Sequence, residues 1–463
     1  MSPRHCSLAL ALALTACPAG PDAGKADPKQ ADAKKVDAKT TDAKKVDAKT
    51  EAKAPDAKTP DAKTPDAKVE PVAPTEPAAP APLSVETEAA VASSINAFAI
   101  DLHHELAVRP GNLFVSPASI SIAFAMTHAG AKGKTADELA KVFHFPASAD
   151  LHAGFAGTLA RWDAVAGGLE LDIANRLFGE KTVTFEPSFL ELTKTAFGAP
   201  LEPLDFNGAA GPSRDHINGW VATQTHDKIK DLLPPSGVTS ATKLVLVNAI
   251  YFKAQWAEAF QDGSTADASF VGAKGKTTVK MMNRVDRYAL GVAKDAKLRT
   301  LELPYDGGQY SMVIVLPDDP KGLPAVEKAL TADALKSWID GASSARVDLK
   351  LPRFRIEPGD ALELRAPLER LGVVTAWGGD ADFTGMAPAS AQLQISEAFH
   401  KAFVAVDEAG TEAAAATAVS MKAGSAAPSD EPVPFVVDHP FLFLVRDTKT
   451  GAILFMGRLV DPA

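Results

Sequence analysis

The 463-residue chain has two cysteines, Cys6 and Cys17, and none beyond them. Any folded part after residue 17 therefore has no structural disulfide and no thiolate metal centre, and packing alone must hold it. The first apolar run, Leu8–Leu14, is far shorter than the ~20 residues a membrane-spanning helix needs. Basic residues are also short: 48 Lys and Arg against 58 Asp and Glu give a net charge of -10. That excludes a general basic footprint for nucleic acid and fits poorly with broad attraction to anionic lipid heads. Enzyme signatures are missing as well. There is no G-x-S-x-G, no H-E-x-x-H and no phosphate-cradling G-x-x-x-x-G-K-[ST]. His103-His104-Glu105 has no third metal-ligand partner at a recognisable spacing, and both histidines are expected on the surface of a helix. No metal and no cofactor is expected. What is present is ordinary globular composition, 46% hydrophobic and 23% charged. The length allows two to four domains at roughly 100–200 residues each.

Arg4 and His5 precede the apolar run, as in a secretory signal. The run ends in Leu14-Thr15-Ala16-Cys17, which resembles the bacterial lipobox. That resemblance implies a signal peptide over residues 1–16 and a lipid-carrying Cys17. Several acyl chains on one cysteine give stable anchoring, at about 0.8 kcal/mol per buried methylene. Pro18, rather than an aspartate, follows Cys17. A bacterial cell envelope is therefore expected as the location, with the outer membrane or cell surface favoured over the inner membrane.

Residues 18–83 are of low complexity. Asp-Ala-Lys begins at Asp32, Asp37, Asp42, Asp47, Asp56, Asp61 and Asp66, and the segment balances 12 Lys against 12 Asp plus Glu. Almost nothing apolar is available to offset the entropy of ordering. A five-residue period keeps no helical face in register. Prolines from Pro55 to Pro82 stiffen its second half toward polyproline geometry. We read residues 17–83 as a solvated tether spanning roughly 45 Å as a flexible coil.

Composition changes at Ser84. Ile95, Phe98, Ala99, Leu102 and Leu106 recur at helical spacing up to Pro110-Gly111. Asn112–Ser116 reads as a short strand. Pro117 opens a second helix through Met126 to Ala129, and Thr135–Val142 makes a third. Leu244–Tyr251 and Tyr310–Leu316 are continuous apolar runs of the kind buried on both faces. Val347–Leu351 and Ala402–Val406 alternate more weakly, and Phe441–Arg446 with Ile453–Arg458 reads as a hairpin. Helices come first and strands later, which gives an α+β domain over residues 84–463 with no second linker.

Between strand and loop lies a run of small residues, Thr411 to Val419. By propensity its alanines are helical. On a strand, Thr411, Ala413, Ala415, Thr417 and Val419 share one face, small or β-branched and uncharged, while Glu412 falls on the other and stays wet. Such a segment can slide between two existing strands. A flexible alanine-rich loop or a short helix is the competing reading. Ser420 to Glu431 is small and polar and reads as exposed loop.

The sequence Glu408-Ala409-Gly410-Thr411-Glu412-Ala413-Ala414-Ala415-Ala416-Thr417 resembles the proximal hinge of inhibitory serpins. Four further segments resemble that family in order. They are Asn112 to Ile120, Leu246 to Trp256, Phe399-His400-Lys401-Ala402, and the pair Asp438–Phe443 with Leu454–Arg458. The resemblance implies three β-sheets, eight or nine helices and an exposed reactive-centre loop. It implies no enzyme but a consumed, monomeric inhibitor of serine proteases, with cysteine proteases as a second class. The target would attack the loop, form a covalent acyl complex, and be carried off as the cut loop inserts into the main sheet. Ser116, Ser119, Asn248 and His400 match the cluster where that sheet opens, and Trp256 matches the tryptophan at its top. Glu408 matches an acid paired with a base on a neighbouring strand, expected to be Arg353 in an exposed pair of little energetic weight. Counting seventeen residues from Glu408 puts the reactive bond at Gly424-Ser425, with Met421, Lys422 and Ala423 as alternatives. Lys422 would suit a trypsin-like target; Met421 or Ala423 would suit an elastase- or subtilisin-like one. A non-inhibitory binding or structural lipoprotein on the same fold is the alternative, disfavoured by a hinge with no bulky, charged or proline residue before Val419 on its inward face.

Overall fold

A computed structural model describes residues 84–147, 151–164, 169–412 and 431–462. Ser84 opens the first helix, α1 (Val85–Ala107), by accepting a hydrogen bond from the Thr87 amide at 3.1 Å. Its stripe of Ile95, Phe98, Leu102 and Leu106 is buried. β1 (Leu113–Val115) leads into α2 (Pro117–Gly130), which Ser116 caps through the Ser119 amide and Pro117 starts. α3 (Gly133–Val142), α4 (Leu151–Asp163), β2 (Glu170–Glu180), α5 (Pro187–Phe197), β3 (Glu202–Leu204) and α6 (Phe206–Gln224) complete the helix-rich half.

Strands then dominate, beginning with β4 (Leu244–Gln255), β5 (Ala266–Gly272), β6 (Gly275–Ala293), β7 (Leu298–Pro304) and β8 (Tyr310–Pro317). Two short helices, α7 (Leu323–Ala329) and α8 (Ala332–Asp340), precede β9 (Ser343–Pro352), β10 (Phe354–Ile356) and β11 (Leu362–Glu363). After α9 (Arg365–Leu371) come β12 (Glu397–Ala402), β13 (Val404–Val406) and β14 (Gly410–Thr411). The last strands are β15 (Val433–Val436), β16 (Phe441–Asp447) and β17 (Ile453–Leu459). The α+β expectation holds, with nine α-helices among the described residues. β6 is 19 residues long and pairs with β5, β7 and β9, so it serves two of the implied sheets at once. Their ladders run together into one nine-stranded surface.

The other, eight-stranded set is the main sheet, with β4 at its centre. Alternate residues of β4 face opposite cores. Leu246, Ile250 and Phe252 join the large core with α1, α2, β16 and β17. Val245, Val247 and Ala249 pack instead with Phe206, Ile217 and Val221 of α6. A strand covered on both faces must be apolar throughout, which is why this segment reads as a continuous hydrophobic run.

One expectation fails on α1. His103 is buried, not at the surface, with Nε2 3.0 Å from Glu327 Oε1 on α7. Arg458 Nη1 also donates to Glu327 Oε1 at 3.0 Å. The same guanidinium donates to the carbonyls of Ala107, Arg109 and Gly111, satisfying the open end of α1. His104 is exposed, as expected, with its Nε2 3.0 Å from the Glu327 carbonyl. The helix α7 crosses α1 here, which spacing within α1 cannot reveal.

Candidate functional site

β4 and β12 run parallel and pair from Val245 with Glu397 to Ile250 with Ala402. Their outer neighbours, β2 and β11, are antiparallel to them. β13 leaves the end of β12, and the chain turns through Asp407–Ala409 and returns as β14. β14 lies antiparallel to both sides, with Thr411 opposite Val406 and opposite Ala254. The Asp407 carboxylate holds the turn by accepting from the amides of Ala409 at 2.9 Å and Gly410 at 3.2 Å. Gly410 has to be glycine, because a Cβ there would run into the Ala254 carbonyl. Thr411 is buried, its hydroxyl 2.6 Å from the buried Tyr305 hydroxyl. The ladder stops at Glu412, whose φ is +52°.

Below this junction a polar row crosses the seam. Asn175 on β2 lies opposite Asn248 on β4, and Asn248 lies opposite His400 on β12. Asn248 Nδ2 donates to Asn175 Oδ1 at 2.6 Å and to Ser119 Oγ at 2.7 Å. Ser119 Oγ donates to Asn175 Oδ1 at 3.1 Å, and Ser116 Oγ donates to the Leu454 carbonyl at 2.6 Å. The Ser116 amide donates to His400 Nε2 at 3.0 Å, so the imidazole proton sits on Nδ1 and is given to Asn248 Oδ1. Burial pushes the His400 ring down to about 3, so it is neutral across the physiological range. The four residues expected here come together. Asn175 was missed, since its strand carries mixed polarity and its only signal is the register opposite Asn248.

At the upper end, Trp256 is buried and stacks on Tyr305, with centroids 4.7 Å apart and planes 7° from parallel. Its Nε1 donates to the Asp407 carbonyl at 3.0 Å, and its amide donates to the Ala409 carbonyl at 2.9 Å. Glu408 meets Arg353 as expected, with Arg353 Nε 2.7 Å from Glu408 Oε1. The pair is not exposed, however: Glu408 is 5% accessible and only Arg353 reaches solvent. Burial works to raise the Glu408 carboxyl, and hydrogen bonds from Arg353 and Thr265 outweigh it and leave the group below its ordinary value. Glu412 is not left wet either. Its side chain is 8% accessible and ion-paired with Lys228, because the left-handed turn at Glu412 directs it onto the segment after α6.

Ala413, Ala414, Ala415, Ala416, Thr417 and Val419 lie outside the described residues, as do Met421, Lys422, Ala423, Gly424, Ser425 and Cys17. Among the described residues no group of three or more His, Cys, Asp or Glu side chains is placed to hold a metal ion.

This is an α+β fold whose main sheet has a parallel seam with an antiparallel strand already begun in it. The chain belongs to the serpin family: the family profile described as Serpin (serine protease inhibitor) matches residues 93–462. That is a family of protease inhibitors rather than enzymes. The leukocyte elastase inhibitor of Sus scrofa is 45% identical over 374 residues, spanning 79% of this chain and 97% of the relative. The Homo sapiens protein of the same name is 42% identical over 382 residues, spanning 80% and 99%. Uncleaved ovalbumin superposes with a TM-score of 0.73 at 31% identity, covering 81% of this chain and 100% of that one. Maspin gives a TM-score of 0.75 at 28% identity, covering 81% and 100%.

Proposed function

We propose that the protein traps a serine protease by letting its own cut loop complete the main sheet. The observation that carries this is the register of β14. Extended one residue at a time down β4, it would place Thr417 opposite Asn248. Extended down the other side from Val406, it would place Thr417 opposite His400. Asn248 and His400 are themselves paired across the seam, so the two registers agree. One strand, antiparallel to both neighbours, fits between them without a bulge. Thr411, Ala413, Ala415, Thr417 and Val419 would then face the core, and each is small enough to be covered. A new strand gains two backbone ladders, each hydrogen bond contributing about 0.5–1.5 kcal/mol net, together with burial of its inward face.

In this reading the target's serine oxygen attacks the carbonyl of the reactive bond, at Gly424 or one of the three residues before it. The amide nitrogen leaves with the C-terminal fragment, and the ester links the protease to the loop. Insertion then moves that ester away before water completes hydrolysis. The relatives named as leukocyte elastase inhibitors favour an elastase-like target, with Met421, Ala423 or Gly424 suiting a shallow pocket better than Lys422 does. The lipid on Cys17 and the tether over residues 18–83 would hold the trap at a bacterial envelope.

The test is incubation of the full-length protein with elastase-, subtilisin- and trypsin-like proteases. A complex that survives boiling in detergent is expected, with a marked rise in thermal stability once the loop is cut. Cutting by every protease with neither complex nor rise would overturn the proposal.

A further inference from the structure

We infer that Glu412 is handed from Lys228 to Lys253 as the loop inserts, and that Lys228 is a positioning residue setting how fast insertion starts. This rests on the insertion reading above. In the uninserted chain Glu412 pairs with Lys228, and its second oxygen, Oε2, is buried without a partner. The carboxylate is thus held at one point only. Its backbone is left-handed, which a non-glycine residue adopts at a cost. Breaking the pair would free Glu412 to become extended and let the ladder continue past Thr411.

Lys228 is aimed at that spot. It follows His226 and Asp227, two further non-glycine residues with positive φ, at +49° and +63°. That tight turn is closed by the Asp227 amide on the Ala222 carbonyl and the Lys228 amide on the Thr225 carbonyl, both at 2.8 Å. Lys228 Nζ also lies 5.6 Å from the ring centre of buried Phe403, at the break between β12 and β13. Arg355 lies 4.8 Å from the same ring. Glu412, Lys228, Phe403 and Arg355 form a chain of contacts across the top of the seam.

The register names the receiving residue. Thr411 pairs with Ala254, so an extended Glu412 would fall opposite Lys253, on the face away from Thr411. Lys253 Nζ now holds Glu170 Oε1 at 2.7 Å, and its ammonium has donors for a second carboxylate. The carboxylate would leave one lysine and arrive at another within one strand step.

The test uses the full-length protein in detergent. Its loop is cut by a metalloprotease, which forms no acyl intermediate, and insertion is timed by the gain in thermal stability. Lys228→Ala should insert on the order of tenfold faster, since a buried carboxylate loses its charged partner, and should unfold at a lower temperature before cutting. Lys228→Arg should restore both values. Lys253→Ala should leave the insertion rate unchanged and lower the stability of the cut form more than that of the uncut form. Lys228→Ala inserting at the wild-type rate would overturn the role of Lys228. Equal losses in both forms for Lys253→Ala would overturn the hand-over. If wild-type protein gains no stability on cutting, the insertion reading falls and this inference falls with it. If it gains stability while the variants match it, only this inference falls.

Discussion

Asn248 holds the polar row together, donating to Asn175 and Ser119 and accepting from His400 in a site closed to water. Truncation by Asn248→Ala removes three buried hydrogen bonds and leaves the His400 Nδ1–H without a partner, while Ser119 and Asn175 keep each other. The uncut protein should therefore lose about 2–4 kcal/mol, read from its denaturant midpoint. The loss should be smaller in the cut form, where the Thr417 hydroxyl would arrive beside His400. His400 adds a pH dependence. Its pKa falls from 6.5 unfolded to about 3 folded, so the unfolded chain binds the extra proton between those values. Stability is complete above pH 6.5 and falls as pH drops through that window, by up to about 1.4 kcal/mol per pH unit. His128 and His152, also depressed by burial, slope the same way. The unfolding temperature should therefore fall from pH 7 to pH 5, and His400→Gln should make that slope shallower. Four members of the row were legible as motif residues. Asn175 was not, because cross-strand position is invisible along one strand. Burial was equally hidden at Glu408, Glu412 and His103, since each is covered by an element distant in sequence.

Elements were legible where both faces are buried or one helical face is. β4, β8, β16, β17, α1 and α2 announced themselves by apolar runs or stripes. Those defined by partners did not: β12 begins at Glu397 and β14 is two residues long, while β13 showed only as the weak alternation over Ala402–Val406. The segment from Ala413 shows the limit most clearly. Alanine favours helix, and nothing local opposes that preference. Only the strand started by Gly410 and Thr411 between β4 and β13 sets the direction in which the chain would continue. An inward charge should then stop it. Thr417→Arg would put a guanidinium opposite Asn248 in a site closed to water, at a cost of several kcal/mol. The expected outcome is a loop that is still cut but no longer inserts, so the inhibitor becomes a substrate. Gel analysis should show free cleaved protein in place of the covalent complex. The uncut variant should unfold at the wild-type temperature, which separates this effect from misfolding.

In the proposed reading the whole molecule would couple a trap to an anchor, and the two would make separable demands. Trapping would need only residues 84–463: the seam, the polar row and the loop sequence. Anchoring would need only Cys17 and the segment to residue 83, which is charge-balanced and nearly free of large apolar side chains. In that reading a flexible tether of roughly 45 Å would let the body approach a protease without bringing the lipid along. No described helix is long and apolar enough to cross a membrane. Cys17→Ser removes the acceptor thiol and leaves every residue of the seam in place. Expressed in a bacterial host, the wild-type protein should sediment with membranes and incorporate labelled palmitate. The variant should be soluble and unlabelled, with a protease-inhibition rate within about twofold of the wild type, because single surface changes far from a site add independently. A Cys17→Ser protein that still sediments with membranes would remove the anchor from this account and leave the trap untouched. A soluble variant that no longer inhibits would show that the two halves are not separable.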